Sequence, residues 1–322
     1  MSETHLKLAA SQRDWIAVDW GTSSLRAWYV QNDGFVQTNA RSTQGAGSLT
    51  SSEFERVLLD LVGPWLKVDN TPLPAVICGM AGSRQGWVEA PYVPLPASFS
   101  ELAQNVVRAP MRDTRLAPVI VPGVCQNNAA GPDVIRGEET LLLGLLSEAG
   151  TQRRTFCLPG THSKWVHTEN HRMLHSRTFL TGELFALVSQ KSILRHSLEG
   201  SGDMDLDAFR RGVTDIKTGS ASFLGSLFSI RASHLLNGTD PHTAYAYLSG
   251  LIIGTELKEL QESGQLKPGD VVDIIANSAL TRGYSSALTV FGATACVHDG
   301  DMAALKGLSK IRKDLTDDLV SN

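Results

Sequence analysis

Asp19-Trp20-Gly21-Thr22-Ser23-Ser24 closes one short apolar run, and Gly160-Thr161-His162-Ser163 follows another. Glycine at the head of such a turn lets the backbone approach an anion, and the N–H groups that follow, with the Thr22 and Ser23 hydroxyls, can cradle phosphate oxygens. Asp19 adds a carboxylate of the kind that holds a divalent metal. One Gly-Thr-x-Ser turn is weak evidence, because tight hairpins draw on the same residues. Two of them, each between the first two strands of a half-chain, point to a duplicated domain whose loops face a triphosphate across a cleft. The histidines carry no comparable signal: His167, His171 and His175 are spaced i, i+4, i+8, but their segment alternates like paired strands and brings no acid or cysteine at ligand spacing.

The elements that must position these turns can be read from periodicity. Strands are expected at WIAVDW, LRAWYV and, more weakly, Phe35 to Thr38, followed by a helix capped near Thr50-Glu53 and ending at Gly63-Pro64. A buried strand at Ala75 to Gly79, a helix around Ser98 to Val107 and a strand at Ala117 to Gly123 come next, with QNNAAGPDVI read as a loop. A helix then opens at Gly137 with Glu138 and Glu139 in its first turn, and Gly150 marks its end. The second half restarts with strands at Thr155 to Pro159, Ser163 to Thr168 and MLHSRTF, the last two joined by a turn at Glu169-Asn170, and a helix from Thr181 to about His196. Beyond it lie a mostly helical stretch with a long segment from Pro241 to Ser263, a strand at Val271 to Ala276, a helix from Ala279 to Leu288 and a last helix after Asp299-Gly300-Asp301. The tail after Leu315 is polar.

With 322 residues, 42% of them hydrophobic, the chain can bury two cores, and the expected domains are 14–150 and 151–322, the last helix packing either with its own half or back on the first. Lys and Arg number 29 against 33 Asp and Glu, a net charge of -4 without a basic block, which disfavours a phosphate-tracking nucleic-acid surface. No apolar run is long enough for a membrane span and the N-terminus lacks a signal-peptide core, so the cytoplasm is the expected compartment. Four dispersed cysteines suit reducing conditions. No G-x-G-x-x-G follows a strand to open a helix, which disfavours a nicotinamide-dependent dehydrogenase.

The segments DWGTSSLRAW, GMAGSRQGW, PDVIRGEETLLLG, LPGTHSKWV and FLTGELFALVSQ resemble the 2-dehydro-3-deoxygalactonokinases, within the actin, hexokinase and Hsp70 superfamily. The resemblance runs from about Trp15 to Leu308. It implies an α/β fold of duplicated ribonuclease H-like domains with an interdomain cleft, and ATP- and Mg²⁺-dependent phosphorylation of the 6-hydroxyl of 2-dehydro-3-deoxy-D-galactonate. It further implies that Asp19 holds Mg²⁺ through water, that Arg26 reaches the transferring phosphate, and that Gly160 and Thr161 form the second phosphate loop with His162, Ser163 and Lys164. Leu158-Pro159 stands where superfamily members often carry an acid, leaving Asp19 as the metal carboxylate. Ala276-Asn277-Ser278 matches the adenosine segment, Ala276 replacing a glycine, so that its methyl is expected to narrow the purine slot.

Phosphoryl transfer asks for one carboxylate that orients or deprotonates the accepting hydroxyl. Glu138 is the expected base, and Glu139, about 100° round the helix, is its competitor and a substrate contact. An anionic substrate calls for an arginine that can bind a carboxylate bidentately. Arg84, with Ser83 and Gln85, lies in the loop equivalent to the sugar-contacting loop of related kinases, ahead of Arg136 and Arg177, and Trp87, Glu89 and Tyr92 could wall the sugar or pack. The rival readings are a kinase of another sugar acid, such as the gluconate epimer, and a non-catalytic ATP-binding sensor. A homodimer is left open.

Overall fold

The computed structural model describes residues 13–67, 71–128, 131–146, 152–200 and 203–315. The first half runs β1 (Trp15–Trp20), β2 (Leu25–Val30), β3 (Val36–Ser42), α1 (Phe54–Val62), β4 (Leu73–Gly79), β5 (Tyr92–Pro94), α2 (Phe99–Gln104), β6 (Val107–Arg108), β7 (Leu116–Ile120), β8 (Gly123–Asn128), β9 (Gly131–Ile135) and α3 (Glu138–Leu146). The second runs β10 (Arg154–Leu158), β11 (Ser163–Glu169), β12 (Arg172–Phe179), α4 (Thr181–Lys191), α5 (Leu206–Thr218), α6 (Phe223–Asn237), α7 (Pro241–Glu262), β13 (Val271–Ile275), α8 (Ser278–Val290), β14 (Thr294–His298) and α9 (Gly300–Asp314).

Two sheets repeat one order. The first is β3-β2-β1-β4-β7-β6 and the second β12-β11-β10-β13-β14, so each places its third, second and first strands ahead of two parallel ones, the first sheet adding β6 at its edge. In the first sheet β2 is antiparallel to β1 and β3, whereas β4 runs parallel to β1 and β7 parallel to β4. In the second, β13 is parallel to β10 and to β14. That is the ribonuclease H-like arrangement, present twice. All six residues of β1 are buried, as a strand covered on both faces requires. Trp20, Phe54 and Trp87 pack together in the first core, and Phe209, Phe291 and Trp165 sit in the second.

The chain divides into one unit of 1–153, 167–176 and 299–322 and another of 154–166 and 177–298. Residues 167–176 join the first because Ala97 and Met173 exchange backbone hydrogen bonds of 2.9 Å, and Arg172 donates to the Pro96 carbonyl at 2.6 Å. The last helix, α9, also belongs to the first unit. A Cβ on Gly144 of α3 would lie 2.1 Å from the Ala303 carbonyl, and one on Gly307 of α9 would lie 1.9 Å from the Thr140 carbonyl, so glycine on both helices permits their backbones to touch.

Several expected elements are corrected. The segment read as a loop, 126–135, is largely the hairpin β8–β9, in register from Val124↔Ile135 to Asn128↔Gly131. Pro132 is tolerated there because β9 is an edge strand of the sheet β5-β8-β9. The helix expected from Thr181 to His196 breaks after Lys191, where Ser192 caps a separate turn by accepting from the Leu194 N–H. β14 adds a strand beyond those expected. The turn between β11 and β12 centres on Asn170 and His171, both left-handed with φ of 51° and 60°, as a tight two-residue hairpin demands. Gly150 lies outside the described residues.

Candidate active site

In the first unit the strand pair β1–β2 sets Asp19 directly opposite Arg26. Asp19 is 6% exposed, and its carboxylate is ion-paired to the Arg26 guanidinium. Burial pushes the Asp19 carboxyl above the usual carboxylate range, and Arg26 partly offsets this. Arg26 reaches a second acid, Asp301 in the first turn of α9, which also takes Arg41 from β3. Two cations and two carboxylates thus alternate beneath the turn Gly21–Ser24. Asp301 lies outside the set expected from sequence, although it is the third residue of an Asp-Gly-Asp helix start whose Asp299 accepts from the Met302 N–H.

The turn above this lattice is exposed at Thr22, Ser23 and Ser24. Its shape is fixed from behind by the segment after β3: the Ala46 and Gly47 N–H groups donate to the Gly21 and Thr22 carbonyls, each at 2.9 Å. Gly45 has to be glycine, because a Cβ would fall 2.3 Å from the Thr22 carbonyl oxygen.

Glu138 begins α3 at the carboxyl end of β4. Gly79, with φ of 94°, pairs with Trp20, and a Cβ on Gly137 would sit 3.1 Å from the Gly79 Cα. The glycine-on-glycine contact brings the helix start against the strand ends that carry Asp19. The two acids of that first turn then part. Glu138 is half-buried. Glu139 is 0% exposed, its carboxylate accepting from the Gly137 N–H at 2.6 Å and from the Thr140 hydroxyl at 3.1 Å. Burial, with the neighbouring Glu138 charge, pushes its carboxyl up to about 8. Glu139, expected as a substrate contact, is here buried and bonded within the turn that precedes Glu138.

In the loop after β4, Arg84 and Gln85 are exposed whereas Ser83 is nearly buried, its N–H donating to the Met80 carbonyl at 3.0 Å. Trp87 is 6% exposed in the aromatic core and does not wall a sugar site. Arg136 is buried too, donating to the Ala90 carbonyl at 2.7 Å with its guanidinium 4.3 Å from the centre of the Tyr92 ring. It ties this loop to α3.

In the second unit the turn Gly160–Ser163 has the same backing. The Glu183 N–H donates to the Thr161 carbonyl at 2.9 Å, and a Cβ on Gly182 would lie 2.2 Å from the Gly160 carbonyl oxygen. At Gly160 itself the nearest atom to an added methyl would be the His162 carbonyl oxygen at 3.9 Å. Among the described residues nothing demands glycine there; what glycine leaves is open room beside backbone and the exposed Thr161. His162 pairs with Glu183 at 2.6 Å, and the Lys164 ammonium lies 3.4 Å from the His162 carbonyl.

Below this turn a different network stands. Glu256 of α7, 3% exposed, accepts from Ser163 at 2.9 Å, Trp165 at 2.6 Å, Tyr284 at 2.9 Å and Thr181. Burial raises its carboxyl above the ordinary range against the pull of those donors. No local sequence pattern marks this residue.

Asn277 caps α8, its side chain accepting from the Leu280 N–H at 3.0 Å. The next two residues, Ser278 and Ala279, line a cavity of about 350 Å³ with Met204, Tyr245, Ser249 and Arg282. Ala276, expected to narrow a purine slot, is not in that lining; its methyl packs on the core. Arg177 is ion-paired to Glu259 and lies over the Phe179 ring. Asp273, Cys296 and His298 approach one another as metal ligands could, yet Arg154 already holds both Asp273 oxygens at 2.6 and 2.9 Å. A guanidinium in that place repels a cation.

Residues 19–311 match the family model described as 2-keto-3-deoxy-galactonokinase. A relative named as a probable 2-dehydro-3-deoxygalactonokinase, from Rhizobium meliloti (strain 1021), is 38% identical over 298 residues, 91% of this chain and 94% of its own. The 2-dehydro-3-deoxygalactonokinase of Escherichia coli (strain K12) is 32% identical over 301 residues, 92% of this chain and 97% of its own. A crystal structure described as a 2-dehydro-3-deoxygalactonokinase protein from Sinorhizobium meliloti superposes with a TM-score of 0.84 at 36% identity, covering 92% of this chain and 97% of that one.

Proposed function

The chain belongs to the 2-keto-3-deoxy-galactonokinase family, and from that premise we propose that it transfers the γ-phosphoryl group of ATP to the 6-hydroxyl of 2-dehydro-3-deoxy-D-galactonate. It is a kinase, a phosphotransferase with an alcohol acceptor. The observation that carries the residue assignments is the pair of glycine turns. Each is braced from behind by backbone hydrogen bonds, and at Gly160 the room is kept for something other than protein.

In this reading the Gly160–Lys164 turn binds nucleotide phosphates through its N–H groups and the Thr161 hydroxyl, and the Ser278–Ala279 cavity takes the adenosine. Thr22 and Ser23 hold the phosphate end in the first unit. Asp19, paired through Arg26 with Asp301, becomes an oxygen donor of the kind Mg²⁺ takes when Arg26 leaves it, and Mg²⁺ bound there would neutralise phosphate charge. Arg26, shared between these two acids, is the cation that moves onto the transferring group. Glu138 orients the 6-hydroxyl and takes its proton at the carboxylate, and Glu139 keeps the Gly137 turn in place. Arg84 anchors the substrate carboxylate with Gln85 beside it. The enzyme acts in the cytoplasm and as a homodimer.

The test is ADP release with Mg·ATP and four acceptor conditions: the galactonate-derived keto acid, its gluconate epimer, galactonate, and none. Release that depends on the first is expected, and Glu138→Gln should lower kcat by roughly 10²–10⁴ with little change in KM. Release indifferent to the acceptor would remove the substrate assignment. Near-normal turnover of Glu138→Gln would remove the base.

A further inference from the structure

Helix α6 is apolar on two sides, with Phe223, Leu227 and Ile230 packed on the core of its own unit. Its fifteen residues include a single side chain charged at neutral pH, Arg231, which donates to the Ser197 hydroxyl at 2.9 Å. Ser226, Ser229 and Ser233 line a cavity of about 440 Å³ against the rest of its own unit. Four further apolar residues point outward: Leu224 is 80% exposed, Phe228 68%, Leu235 62% and Leu236 83%. A surface helix ordinarily keeps polar residues on that side.

The apolar surface does not stop at α6. Phe223 shares a pocket wall with Leu180 and Leu184 at the start of α4, joining the two helices. Along α4 and the turn that follows, Leu180 is 59% exposed, Leu184 36%, Leu187 51% and Ile193 53%.

We propose that the exposed apolar face of α4 and α6 is the interface through which two copies of this chain form a dimer. Eight large apolar side chains at these exposures present on the order of 800 Å², about what one partner contributes to a stable interface. An isologous contact sets each patch against itself, residue i meeting residue j and j meeting i. To this face α6 brings only Arg231, which Ser197 holds. The α4 side adds the exposed Glu183, Lys191 and Arg195, charges of both signs that a self-complementary contact can pair with one another. The interface names the surface for the homodimer proposed above and does not depend on the catalytic assignments.

Sedimentation equilibrium of the full chain, from about 0.5 to 50 µM, reads the mass directly. The wild type is expected as a dimer and Leu224→Glu/Phe228→Glu as a monomer with an unchanged circular dichroism spectrum and turnover. Should the double variant fail to fold, Leu235→Glu at the other end of α6 is read in the same way. A dimeric variant overturns the surface while leaving the homodimer. A monomeric wild type overturns both. ADP release, measured on the same samples, reports separately on the kinase reading.

Discussion

The turns Gly21–Ser24 and Gly160–Ser163 share their shape and differ in what lies beneath them. Each is a hairpin turn backed by N–H donors from the segment after the third strand, and each backing segment carries a glycine that no methyl could replace. Two residues before the glycine stands Asp19 in one and Leu158 in the other; five after it stand Arg26 and Trp165. The first turn therefore rests on alternating charges with a neighbour in Asp301, and the second on Glu256 and four neutral donors. Charges that can change partners suit the end where a phosphoryl group moves. A carboxyl held by four donors suits the end that, in the proposed reading, only holds a nucleotide.

If the second network is a support, removing its hub should damage stability before chemistry. Glu256→Ala leaves the Ser163, Trp165, Thr181 and Tyr284 donors without their acceptor and is expected to cost about 3–5 kcal/mol in urea unfolding. Glu256→Gln should recover most of that. A loss of turnover in Glu256→Ala without a loss of stability would mean that the network is catalytic after all.

The glycine of the second turn and the one in its backing helix should separate binding from bracing. Gly182→Ala drives a methyl into the Gly160 carbonyl and is expected to lower stability by roughly 2 kcal/mol. Gly160→Ala meets its nearest neighbour only at 3.9 Å, so its Tm should hold while KM for ATP rises about tenfold, about 1.4 kcal/mol of binding. Equal Tm losses in both variants would cancel the distinction.

The last effect, read in its pH dependence, concerns the buried acid of the first unit. Glu139 is held up to about 8 against an ordinary 4.5, so between those values the folded chain binds more protons than the unfolded one. Stability therefore falls as pH rises through that window. Glu139→Gln, which cannot ionise, should gain in Tm relative to wild type across it, and parallel Tm curves would show that Glu139 does not titrate there.

The duplication is legible in the sequence because the same turn recurs after the same kind of strand. Asp19, Gly21 and Gly160 can be placed from those motifs alone. Asp301 cannot, since its partner Arg26 is 275 residues away and ion pairing over that distance leaves no local pattern. Glu138 and Glu139 cannot be told apart because α3 is buried on nearly every side, so no apolar stripe orients it. The hairpin β8–β9 is hidden by asparagine, glycine and proline, residues that an edge strand accepts and an interior strand does not. Trp87 is ambiguous for a similar reason: an aromatic in a glycine-rich loop reads as a wall until its stacking on Phe54 is known.

The span between Arg26 and Asp301 also bears on the order in which the molecule can be made. The hairpin that carries Arg26 and Arg41 is among the first parts to leave the ribosome, and α9, which supplies their shared acid, is among the last. Until then two arginines face one aspartate, and the α3 surface shaped by Gly144 has nothing to pack against. A chain that stalls before residue 301 could finish its second sheet, yet its first would remain unsealed and a target for chaperones and proteases.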